Sequence, residues 1–170
     1  MGYVTSLEEI LWGGTLVAIT MVIHGCGMIL TLDACGLLGH SSDETRSFAR
    51  RFGVLILASW MIVLVHLVEV TAWAAFFVWQ EAMPDASTAY FFSLMQYTAV
   101  GSGFQLPLRW RLLEGLLPIA GLMTFAWSTG VLFTLAQDFQ SQELRRIRER
   151  RKARQAKGRS HQDEDTEQST

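Results

Sequence analysis

The chain has 170 residues, half of them hydrophobic, and a formal net charge of −2. Its apolar residues fall in long blocks while most charge collects at one end, which excludes an ordinary soluble core and makes the net charge an average of a basic stretch and an acidic tail. A bilayer requires about 20 apolar residues per helix, and three segments satisfy this, so the expected fold class is an all-α membrane protein.

Ile10 to Leu32 contains no charged residue and, at about 1.5 Å per residue, makes a rod of roughly 35 Å, enough to cross a bilayer with slight tilt. Glu8 and Glu9 stand where a signal peptide would need a basic flank, so this first helix is expected to be retained. Cys26 and Cys35 would lie about 13 Å apart on a continuous helix, too far for a disulfide, and read as small apolar residues. Asp33 to Arg51 reads as a polar loop, with Gly36 and Gly39 breaking the helix and Arg46, Arg50 and Arg51 supplying positive charge. Phe52 to about Trp79 is the second helix, interrupted by one charged residue, Glu69. Trp73 and Trp79 near its end suit an aromatic belt.

Gln80 to Glu114 is mixed: a turn at Met83-Pro84-Asp85, an apolar and hydroxyl-bearing run from Ser87 to Thr98, a glycine stretch, then Leu106-Pro107. It is too short and too polar for two further spans, and a helix that enters partway followed by a returning loop would fit, since irregular backbone at membrane depth must be buried in protein or line water. Gly115 to Gln137 is free of charge and makes the third helix, with Pro118 near its start and Gly121 and Gly130 as bending points. The resulting division is an N-terminal helix and loop over 1–51, a unit of two helices and a returning loop over 52–137, and a tail over 138–170.

In that tail nine basic residues, among them Arg145, Arg146 and Arg148, crowd into positions 145–159, and Asp163 to Glu167 is acidic and expected to be disordered. A basic juxtamembrane run reads as a topology signal and a contact for anionic lipid, with no nucleic acid partner. Lys and Arg number none before the first helix, three in the first loop, two in the second and nine after the third helix. The excess of positive charge predicts a multi-pass plasma membrane protein with its N-terminus outside and its C-terminus cytoplasmic. The first two helices carry no regular Arg or Lys spacing of the kind a voltage sensor needs.

The stretch Tyr97-Thr98-Ala99-Val100-Gly101-Ser102-Gly103-Phe104 organises the rest. Gly101 and Gly103 would permit positive φ at alternate positions, turning successive carbonyls to one side where they can replace an ion's water shell. Tyr90 through Gly103 is similar to the pore helix and selectivity filter of the potassium channel superfamily. More narrowly, with Trp110-Arg111-Leu112-Leu113 and Trp127-Ser128-Thr129, the chain resembles small bacterial ion-channel-domain membrane proteins over about Phe52 to Leu135. The resemblance implies three transmembrane helices with a re-entrant pore helix and filter-like loop between the second and third. It also implies an ion filter at Thr98, Ala99, Val100, Gly101, Ser102 and Gly103, a homotetramer, potassium or sodium as permeant ions, and no enzyme activity or cofactor. Ala99, Ser102 and Phe104 depart from the family's Thr-Val-Gly-Tyr-Gly-Asp pattern, removing a hydroxyl, a bracing aromatic and an outer carboxylate. A non-conducting scaffold with the same fold is therefore the alternative.

Glu69 lies about two-thirds along the second helix with His66 its i−3 neighbour, and an ionisable residue at that depth must be neutral or paired. Its expected partners are His66, Ser93 or Gln96. Because the first two helices run antiparallel, His24 falls within one or two turns of the depth of His66. His24, His66 and Glu69 are thus a third reading, a metal or haem site, although neither an H-E-x-x-H pair nor a cysteine cluster accompanies them. Tyr97 and Trp110 are candidates to wedge the loop.

Overall fold

The computed structural model describes residues 5–39 and 47–167, without the side-chain surroundings of 38–39, 47–51, 142, 146, 150, 153–154 and 156–167. The described residues form helices α1 (Leu7–Gly39), α2 (Ser47–Trp79), α3 (Ala86–Tyr97) and α4 (Leu113–Glu167), with one 3-10 turn at Leu108–Trp110. Three segments, Leu7–Leu37, Phe52–Trp79 and Leu108–Glu149, are long and apolar enough to span a membrane. The chain divides into two compact units, Met1–Leu132 and Phe133–Thr170.

Several boundaries differ from expectation. α1 continues through Gly36 to Gly39, because within an apolar segment glycine backbone groups find no better partner than the helix itself. The polar loop expected over Asp33 to Arg51 is correspondingly shorter, and Arg46 lies outside the described residues. Asp163 to Glu167 is helical, the end of a 55-residue α4. From Ala136 to Lys157 no proline or glycine interrupts a run rich in Arg, Glu, Gln, Lys and Ala, all good helix formers.

In the first unit polar side chains share the interior with an apolar core, while large aliphatic ones face outward. α1 turns Glu9, Leu16, Thr20, His24, Met28, Thr31 and Cys35 inward at spacings of three, four or seven, while Ile10, Leu11, Val22, Ile29 and Leu30 are exposed. α2 likewise exposes Ile56, Trp60, Leu64 and Val68 and buries His66, Glu69, Val70 and Trp73. Water would penalise this arrangement; lipid favours it, because tails solvate the aliphatic face while polar and small residues let helices approach and bond. Gly27 serves that approach, since a Cβ there would overlap the Val65 side chain. Trp73 Nε1 donates to Thr20 Oγ1 at 2.9 Å and joins α1 to α2.

The ends are fixed by local chemistry. Ser6 and Glu9 form a reciprocal capping box: the Glu9 amide donates to Ser6 Oγ (3.2 Å) and the Ser6 amide to Glu9 Oε2 (3.0 Å). The other Glu9 oxygen accepts the Leu112 amide at 3.1 Å, so the start of α1 is tied to the entry of α4. Glu8 and Arg109 form an exposed ion pair beside this joint. Asp85 caps α3 by accepting the Thr88 amide at 2.9 Å, and that amide holds its carboxyl below the ordinary range. Trp12, Phe76, Trp79 and Trp110 pack together at the same end of α2, edge to face except for the tilted Trp12–Phe76 pair.

Candidate functional site

α3 has 12 residues, a length of about 18 Å, too short to cross a bilayer. Its first turn follows the Trp79 end of α2. Its last residue, Tyr97, reaches Glu69 on α2 and Thr124 on α4, both inside the apolar stretches of those helices. The approach is possible because α4 presents Gly121 there: a Cβ at that position would overlap the Tyr97 carbonyl oxygen.

Around the Tyr97 hydroxyl the four helices bring together His24, His66, Glu69, Thr124 and Ser128, all buried. His24 Nδ1 lies 2.9 Å from Glu69 Oε1. The Tyr97 hydroxyl donates to Glu69 Oε2 and contacts Thr124 Oγ1. His66 Nδ1 is 2.8 Å from the Tyr97 oxygen and 3.5 Å from Glu69 Oε2. On the far side of both imidazoles, Ser128 Oγ lies 3.3 Å from His24 Nε2 and 3.0 Å from His66 Nε2, and its hydroxyl donates to the Thr124 carbonyl at 2.8 Å. Trp127 covers His24 and Phe125 covers His66.

A carboxylate alone in an apolar span is costly, by roughly 2.5–3.5 kcal/mol on insertion scales and more by other measures. Glu69 offsets part of that cost at Oε2, which accepts the Tyr97 hydroxyl in a charge-assisted hydrogen bond worth about 1.5–3 kcal/mol. Of the partners expected for Glu69, His66 is within reach, whereas Ser93 is not used: its buried hydroxyl has no hydrogen-bond partner among the described residues. His24, expected only at a similar depth, lies directly against Oε1. Tyr97, Thr124 and Ser128 were not read as partners from sequence. The available signal was two hydroxyls spaced i, i+4 on one face of an apolar helix, with a tyrosine ending the short helix before it.

The residues after Tyr97 do two things. Thr98 ends α3, and Ala99 takes a left-handed φ of 57°. The Ala99 amide donates to the Gln96 carbonyl, and the Val100 and Gly101 amides to that of Met95. This is a Schellman cap, with alanine where glycine is usual. Gly101 follows with φ 81°, whereas Gly103 is not left-handed. Positive φ therefore alternates at Ala99 and Gly101, one step earlier than the glycines predict, because the cap claims the position immediately after the helix. Thr98, Ala99, Val100 and Gly103 are exposed, Val100 by 70%, while Gly101 and Ser102 are half-buried. Beyond them the chain is secured again: Phe104 meets Phe92, the Leu106 amide donates to Glu114 Oε1, and Leu106 and Trp110 are buried. Trp110 and Tyr97 are thus buried on either side of this segment.

Arg145 and Arg148 are exposed on α4 in the second unit, and the surroundings of the Arg146 side chain lie outside what is described. Cys26 and Cys35 are free thiols. Comparison of the chain with protein-family models, with curated proteins and with solved structures finds no match.

Proposed function

We propose that the chain is one protomer of a homotetrameric cation channel in which α2, α3 and α4 are the outer, pore and inner helices. Potassium or sodium ions would pass along the carbonyls of Val100, Gly101, Ser102 and Gly103, with Thr98 and Ala99 at the inner edge. The observation that carries this reading is the segment Thr98–Gly103, exposed apart from the half-buried Gly101 and Ser102, which directly follows Tyr97, whose side chain meets Glu69 and Thr124 inside two apolar helices. Lipid would leave backbone polar groups there unsatisfied, so the segment must face water or other copies of the chain. One chain supplies a quarter of such a ring, and closure about a fourfold axis meets both requirements. In this arrangement the protein is a multi-pass plasma membrane protein, its N-terminus is outside, and Arg145, Arg146 and Arg148 meet anionic lipid on the cytoplasmic side.

The test is ion flux into liposomes holding purified protein, under potassium and sodium gradients at several membrane potentials. Channel function requires flux that Gly101→Ala abolishes: the left-handed backbone disfavours a Cβ there although no atom lies within 4 Å of it. Absence of flux from folded wild-type protein refutes conduction and favours the scaffold reading; normal flux from Gly101→Ala refutes the assignment of the filter.

A further inference from the structure

We propose that His24, His66, Glu69 and Tyr97 bind one divalent first-row transition metal ion per chain, with Ser128 as the residue that turns both imidazoles toward it. Two nitrogens and two oxygens suit zinc, cobalt or iron better than the hard alkaline-earth ions, which take oxygen alone.

The first support is spacing. A tetrahedral ion with bonds of about 2.0–2.1 Å needs donor atoms about 3.3–3.4 Å apart. The separations are 2.9 Å from His24 Nδ1 to Glu69 Oε1, 2.8 Å from His66 Nδ1 to the Tyr97 oxygen, and 3.5 Å from His66 Nδ1 to Glu69 Oε2. The ligand atoms of the two histidines and Glu69 all lie within 4.8 Å of one another. Closing the widest pair then needs about 1.4 Å, shared between two side chains.

The second support is the count of hydrogens. With the Ser128 hydrogen on the Thr124 carbonyl, 2.8 Å away, the lone pairs of Oγ are left for His24 Nε2 and His66 Nε2, at 3.3 and 3.0 Å. Both imidazoles therefore carry their hydrogen on Nε2 and turn the Nδ1 lone pair inward. This is how an outer hydrogen bond fixes the tautomer of a metal-binding histidine. Without a cation, the His24 Nδ1 lone pair would face a carboxylate oxygen at 2.9 Å. An added proton relieves that one contact; a metal ion relieves all of them together.

The third support is charge. A divalent ion with the Glu69 carboxylate and the Tyr97 phenolate sums to zero, which a site walled by Trp127 and Phe125 requires. Uptake then releases the phenol proton. Of the His24, His66 and Glu69 side chains, that of His66 alone has any exposure, 11%.

The experiment uses tag-free, full-length protein in detergent, stripped with a chelator and titrated with Co2+. The expected result is one Co2+ per chain, the intense visible absorption of a tetrahedral ion, about one proton released per ion, and displacement by Zn2+. Ser128→Ala lowers affinity about 10–100-fold with helical content unchanged, and Tyr97→Phe removes the proton release. These two variants keep the test decisive if Glu69→Gln or His66→Asn fails to fold. Three results overturn the proposal: no stoichiometric Co2+ in folded wild-type protein; uptake that Ser128→Ala and Tyr97→Phe leave unchanged; or a cluster that takes up a proton and no metal. Flux is not read, so the outcome is independent of conduction.

Discussion

Tyr97→Phe isolates one oxygen in the centre of the molecule, and its effect can be worked out from the contacts. The phenyl ring keeps its packing against Phe125 and beside Gly121; only the hydroxyl shared by Glu69, His66 and Thr124 is lost. Thr124 has the carbonyls of Ala120 and Gly121 within 3.2 and 2.9 Å and loses little. Glu69 Oε2 loses its donor, a charge-assisted bond worth about 1.5–3 kcal/mol. The net cost is about 2 kcal/mol, or a melting temperature lower by roughly 4–8 °C for a chain of this size. The assay is tryptophan fluorescence during thermal unfolding of chelator-treated protein in detergent, for wild type, Tyr97→Phe, Glu69→Gln and the double variant. A coupling of at least about 1 kcal/mol between the two positions is expected. If Tyr97→Phe changes stability by less than about 0.5 kcal/mol, or if the two effects add, the hydroxyl does not secure Glu69 and the account of the cluster is wrong.

Gly121→Ala places a methyl group into the Tyr97 carbonyl and is expected to cost about 1–3 kcal/mol, whereas Gly14→Ala, with open space around it, should leave stability unchanged or raise it by up to about 1 kcal/mol; thermal unfolding of both separates close packing from helix propensity. The Asp85 carboxyl is held below its ordinary range by the Thr88 amide, so its cap on α3 is present above the unfolded-state value near 4 and is lost as pH falls through the lower folded value. Hydrogen exchange at Thr88, corrected for its intrinsic pH dependence, should accelerate over that acid window in wild type and show no such step in Asp85→Asn, which caps without titrating. Glu9→Ala removes the acceptor for the Ser6 and Leu112 amides and should destabilise by about 1–3 kcal/mol, seen in the same thermal assay, with Glu8→Ala, at an exposed pair, costing less than about 1 kcal/mol.

The three apolar helices were legible because each is a long uncharged block, a signal that needs no tertiary information. Their inward faces were not. Helices apolar all round have little amphipathic moment, so only scattered polar side chains mark the interior, and those are ambiguous. Thr20, Thr31 and Thr124 are buried, while Thr15, Thr71 and Thr129 are exposed and bond their own i−4 carbonyls. The His66–Glu69 pair was readable from its i, i+3 spacing, and His24 from antiparallel depth. Tyr97 and Ser128 were not, since their meeting depends on how α3 and α4 rotate about their axes. The left-handed positions were misplaced by one step for a similar reason: a glycine reveals where positive φ is permitted, but the end of α3 decides where it is required, at Ala99.

The cluster and the exposed segment are two sides of one turn. Tyr97 is the last residue of α3, and the three amides after Thr98 fold back to Met95 and Gln96. The side chain of Tyr97 is held by Glu69, and its carbonyl rests against Gly121. Moving Tyr97 therefore moves the cap, and moving the cap changes the backbone of Ala99, Val100 and Gly101. No long pathway is needed to couple a change at Glu69 to Val100, because three residues and one Schellman turn separate the Tyr97 ring from the Val100 carbonyl. A ligand that distinguishes two positions of the Tyr97 ring by about 3 kcal/mol would shift their ratio by more than a hundredfold. That is the order of the hydrogen bond Glu69 makes to the ring. In the proposed channel, the device that neutralises a buried carboxylate is thus also the part of the protein that sets the geometry of the ion path.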